Sequence, residues 1–139
     1  MPPAPPGTRD RWLAIEHWLV VLIAIHSAAV GFGALVATEW GVRFSGFQGA
    51  SPLFFPRQVG VFHVVVAVAY LIEWFRYRGI AVLVATKAIA VAFLFSMLLI
   101  DRLPWVVPVS AAGDGLMGLA VLLAHRGARG SWLPGGGRS

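Results

Sequence analysis

The chain has 139 residues, of which 58% are hydrophobic and only 12% charged, with a mean hydropathy of +0.78 and a net charge of +5. A water-soluble domain carries roughly a quarter charged residues, so this chain lacks the charge to cover a globular surface, and lipid is its expected solvent. The absence of cysteine excludes disulfides, thiol redox chemistry and cysteine metal sites. The positive charge does not point to nucleic acid, because the arginines lie at the ends of apolar runs, where they mark membrane orientation.

The proline-rich tip, MPPAPPG, does not start a helix and is expected to be disordered, with the arm extending to about residue 10. A first helix is predicted over about 12–37, since no Asp, Glu, Lys or Arg occurs between Glu16 and Glu39 and about 20 apolar residues suffice to span a bilayer. Ala28, Ala29, Gly31 and Gly33 would suit a signal-peptide cleavage site, but the apolar run is longer than a typical signal core, so the segment is read as a permanent span. Thr38 to Pro56 reads as a glycine- and aromatic-rich loop, too apolar to be fully solvated and therefore expected to lie against the bundle ends or the membrane interface.

Further helices are predicted over about 57–76, 80–100 and 105–125, separated by Gly79 and by the Asp101-Arg102-Leu103-Pro104 turn. The remainder, from about 127 to 139, reads as a flexible basic tail. The expected fold is all-α: one integral membrane domain forming a four-helix antiparallel bundle, with consecutive helices packed as neighbours. Seven arginines (Arg9, Arg11, Arg76, Arg78, Arg126, Arg129 and Arg138) fall on one side, against Arg43, Arg57 and Arg102 on the other. That asymmetry puts both termini in the cytoplasm of a multi-pass inner-membrane protein.

Small residues offer close contacts at Ser27-x-x-x-Gly31, Ala29-x-x-x-Gly33 and Ala111-x-x-x-Gly115, with Gly113 and Gly118 nearby. Each helix also carries a polar line. Lys87 and Asp114 are opposite charges set in long apolar runs. They either pair and fix the register of the last two helices or mark a proton or ligand site. His63, Tyr70, Trp74 and Tyr77 share a stripe with Glu73 at its edge, and Glu73 is expected to be solvated or paired with Arg76. Ser110, Asp114, Gly118 and His125 share another.

His26 and His63 fall at similar depth and are the candidate ligands for a b-type haem or a quinone. His17 and His26, nine residues apart, point to opposite faces. No phosphate loop, metal-ligand spacing or nucleophile–base arrangement occurs in the sequence.

The run PRQVGVFHVVVAVAYLIEW from Pro56, followed by a basic turn and the Lys87 helix, resembles the DoxX-like family of small four-helix membrane proteins. That resemblance implies a compact four-span bundle serving as a small subunit beside respiratory or quinone-linked enzymes, and it carries over no catalytic residue. The expectation is a non-enzymatic accessory subunit of a larger electron-transfer complex of respiratory or photosynthetic type, surrounded by lipid and other membrane subunits, with no nucleic-acid partner. The alternatives are a haem- or quinone-binding electron-transfer protein and a small proton-coupled carrier.

Overall fold

The computed structural model describes residues 7–132, so the tip and the last seven residues of the tail, both expected to be flexible, lie outside the described residues. Every regular element among the described residues is helical. The order is α1 (Thr8–Val36), a short α2 (Thr38–Phe44), α3 (Phe54–Ile72) running directly into a π-helical turn (Glu73–Tyr77), α4 (Ala81–Ile100) and α5 (Val106–Arg129). Counting α3 with its π turn, four helices of 29, 24, 20 and 24 residues are long and apolar enough to cross a membrane.

Several boundaries differ from the sequence reading. The helix that starts the chain begins at Thr8, so Thr8 to Asp10 do not belong to a disordered arm. At the other end α5 continues to Arg129, a turn beyond the expected stop. It continues because the last turn is held: Ala128 is buried, and Gly127 lies so close to the Trp12 ring that a Cβ there would meet it at 2.5 Å. The expected loop after α1 contains a helix as well. Thr38 Oγ1 donates to the carbonyls of Ala34 and Leu35 at the end of α1, and α2 then places Trp40 and Phe44 one turn apart with their rings stacked at 4.9 Å. Phe44 also meets Trp105 edge-on, and Gly46, at φ 87°, fits under Pro104 and Trp105. The outer segment is therefore ordered against the α4–α5 turn.

Packing follows small residues rather than chain order. α1 is central, with α3 on one side and α5 on the other, and α4 lies beyond α5. α1 and α3 meet backbone to backbone at Gly31 and Gly60, where an added Cβ on Gly31 would sit 2.7 Å from the Gly60 carbonyl oxygen. α3 and α4, joined by the short Gly79 connection, approach less closely than α1 and α3 and meet through side chains, with Tyr70, Trp74, Ile80 and Leu83 in one buried cluster.

Ser27-x-x-x-Gly31 is used inside the bundle, with Ser27 buried, whereas Gly33 of the second motif faces open space. Gly31→Ala is expected to lower thermal stability by about 1–3 kcal/mol, because a carbonyl cannot yield as a side chain can. Gly33→Ala should be neutral in the same thermal unfolding assay, and equal losses from the two would refute this packing.

The outward faces are apolar: Val36 is 86% exposed, Ile89 70%, Leu99 89% and Leu116 68%. A surface of this kind is suited to lipid or to other membrane helices.

Candidate functional site

The interior of the helix bundle holds an ion pair, Lys87 with Asp114, and a carboxylate–imidazole pair, Glu16 with His125, both built on one stripe of α5. Asp114 and His125 are eleven residues apart, which returns them to within about 20° on a helix and separates them by about 16 Å along its axis. At the first position, Lys87 Nζ on α4 donates to Asp114 Oδ1 at 2.5 Å, with side-chain exposures of 9% and 20%. Gly118, one turn below Asp114, makes room for the pair: a Cβ there would stand 3.3 Å from Lys87 Cβ. Tyr70, from α3, reaches this position, where it interacts with the Thr86 side chain and feels the Asp114 charge.

The second position lies toward the end that carries the termini. Glu16 of α1 is fully buried and its Oε1 lies 2.6 Å from His125 Nδ1. Arg129 Nε stands 3.7 Å from the other carboxylate oxygen, Oε2. Glu16 Oε2 and His125 Nε2 are both buried and neither accepts or donates a hydrogen bond among the described residues. Between the two positions the space is filled by Val20, Tyr70, Leu83 and Val121, all almost completely buried. The two pairs are thus separated by a packed, largely apolar layer.

The sequence reading missed this second pair, having taken Glu16 as the end of a span. The signal was present: Glu16, Val20, Ile23, Ser27 and Gly31 follow a three- and four-residue spacing, and all five are buried in the structure. Next to it, His17 Nδ1 accepts a 2.9 Å hydrogen bond from Trp74 Nε1, which ties α1 to the π turn and fixes the proton of a neutral His17 on Nε2.

The two histidines proposed as ligands are not brought together. His63 packs against α1 at Gly31, and its Nδ1 donates to the Val59 carbonyl at 2.9 Å. His26 is exposed and lines an apolar groove between α1 and α5 with Leu19, Leu22, Ile23, Leu116, Met117 and Ala120. His26 and Gly31 are five residues apart, about 140° around α1, so the two rings open onto different grooves. Among the described residues no cluster of three His, Asp or Glu side chains is placed to hold a metal ion.

Glu73 is half-buried and forms no ion pair with Arg76 among the described residues. Its Oε1 and Oε2 accept from the backbone N–H groups of Ala81 and Val82, each at 2.8 Å, and so cap the start of α4. Gly79 permits this, since a Cβ there would meet the Glu73 carboxylate at 2.9 Å. Tyr77, expected on the Tyr70–Trp74 stripe, is 73% exposed. The π turn has more residues per turn than an α-helix and rotates Tyr77 off that face.

Among the described residues these features define an all-helical protein with four helices long and apolar enough to cross a membrane and with its buried polar side chains facing one another. Compared with protein-family models, curated proteins and solved structures, the chain matches none.

Proposed function

We propose that this chain is a four-span inner-membrane protein, with both termini in the cytoplasm, that serves as a non-catalytic accessory subunit packed against a larger membrane assembly. One observation carries the reading. The charges within the spans are matched by side chains of the same chain, Lys87 with Asp114 and Glu16 with His125 and Arg129, while the outer surface is apolar. Charges committed to each other set helix register and leave the outside for association. α4 supplies the widest such face, since it packs chiefly on α5 and leaves Ile89, Phe93, Phe95 and Leu99 uncovered. The DoxX-like cast of the α3 sequence points to the same role.

Isolation from native membranes in a mild detergent is expected to yield the chain with a fixed stoichiometry of larger membrane proteins. Recovery as a single chain in detergent, with no partner, would overturn the subunit role. The orientation is tested separately, because a chain without cysteine has no background labelling. A thiol reagent that does not cross membranes should label Gln48→Cys in intact cells and Ser131→Cys only after lysis. The opposite pattern would invert the topology.

A further inference from the structure

Six arginines among the described residues lie at the end that carries the termini, in three pairs. Arg9 and Arg11 belong to the start of α1, Arg76 and Arg78 to the π turn and the residue after it, and Arg126 and Arg129 to the last turn of α5. All six residues are exposed. By sequence, three carboxylates share that end, Asp10, Glu16 and Glu73, and would offset half of this charge. The structure buries one of them and ties another to the backbone. Glu16 is fully buried against His125 and Arg129, and both oxygens of Glu73 are bound by the backbone at the start of α4.

Arg129 is engaged with Glu16, so five arginines face the surroundings against the exposed Asp10 and the half-buried Glu73. At the opposite end Arg43, Arg57 and Arg102 meet exposed Glu39 and Asp101, three cations against two anions. Large aromatic rings stand beside the arginine rim: Trp18 is 60% exposed, Phe75 57%, Tyr77 73% and Trp132 46%, with the Arg126 guanidinium 4.1 Å over the Trp132 ring.

We propose that this rim is a binding surface for anionic phospholipids, whose phosphate groups it engages in the leaflet it faces. The inference rests on the membrane-spanning reading above. Guanidinium groups match phosphate oxygens in a two-point geometry, and aromatic rings settle at the depth of headgroups. The burial of Glu16 is what leaves this surface strongly positive, because a Glu16 on the surface would repel the same headgroups that the arginines attract.

The test inserts the chain into vesicles of equal parts phosphatidylglycerol and phosphatidylcholine, extracts it in mild detergent and counts the phospholipid retained per chain. Since each basic residue near an anionic surface is worth on the order of a five-fold gain in partitioning, phosphatidylglycerol should be retained in several-fold excess. That excess should collapse in about 0.5 M salt, where screening is short-ranged. Arg11→Gln, Arg78→Gln and Arg126→Gln together should remove most of it, and among the described residues none of the three takes part in an ion pair. Arg43→Gln, Arg57→Gln and Arg102→Gln together should leave it intact. Equal retention of the two lipids by the native chain, or the same loss from both triple variants, would overturn the proposal. Resistance to alkaline extraction, measured on the same vesicles, separates the two levels. A chain that washes out refutes the membrane-spanning reading itself, whereas one that stays without lipid preference refutes only the rim.

Discussion

Lys87→Met and Asp114→Leu should each destabilise the protein by about 3–5 kcal/mol, because each leaves a buried ion without its partner. The Lys87 side chain is 9% exposed and its ammonium lies 2.5 Å from the Asp114 carboxylate, so the ammonium has no other counter-ion at hand among the described residues once Asp114 is replaced. The double variant Lys87→Met/Asp114→Leu removes both ions and replaces them with apolar groups of similar volume, and it should regain most of the loss. Thermal unfolding of the four proteins in detergent makes the comparison. Strict additivity of the two single losses would mean that the pair contributes no coupling. The recovery also bears on function, because an accessory subunit needs the helix register that the pair fixes and not the charges themselves. A double variant that is stable but no longer associates with its membrane partner would show that the charges do more than hold register.

The second large effect concerns Glu16 and His125, and here the two halves should not be equal. His125→Leu removes the group 2.6 Å from a carboxylate that has no exposed surface. The remaining cation, Arg129, stands at 3.7 Å from the other oxygen, too far for a hydrogen bond. A loss of about 3–5 kcal/mol is expected, as for any buried ion stripped of its partner. Glu16→Leu instead strands a ring that can be neutral, and an unsatisfied neutral group costs about 1–3 kcal/mol. Arg129, with a third of its side chain exposed, can turn to solvent or headgroups at little cost. The ordering is therefore His125→Leu worse than Glu16→Leu, with Glu16→Leu/His125→Leu milder than His125→Leu alone. The reverse ordering in thermal unfolding would show that the stranded ring, not the stranded carboxylate, dominates.

Much of the architecture was legible in the residues. Four apolar runs bounded by Gly79 and Pro104 gave four spans, because in lipid the backbone must satisfy itself and a long apolar run has essentially one way to do so. The opposite charges of Lys87 and Asp114 could be recognised as a pair for the same reason, an isolated ion being costly at that depth. Local spacing could not say which small-residue motif is used. Ser27-x-x-x-Gly31 and Ala29-x-x-x-Gly33 are equivalent in sequence, yet the first meets Gly60 and the second meets nothing. Nor could it say that α3 approaches α1 more closely than α4, since a short connection limits distance at one end and does not dictate contact along the helix.

The polar residues divide in the same way. Their types and stripes follow from the sequence, and their partners follow only from the fold. Glu16 and His125 are 109 residues apart and meet because α1 and α5 pack antiparallel. Glu73 reaches the start of α4 because the π turn and Gly79 fold the chain back on itself. His26 and His63, expected at similar depth, are parted both by angle and by height, since His63 packs level with Gly31, about 7 Å further along α1 than His26. Depth along a helix is set by counting residues, so the sequence by itself determined it for each buried charge. Which face meets which depends on long-range packing of close-fitting surfaces, and that only the tertiary structure decided.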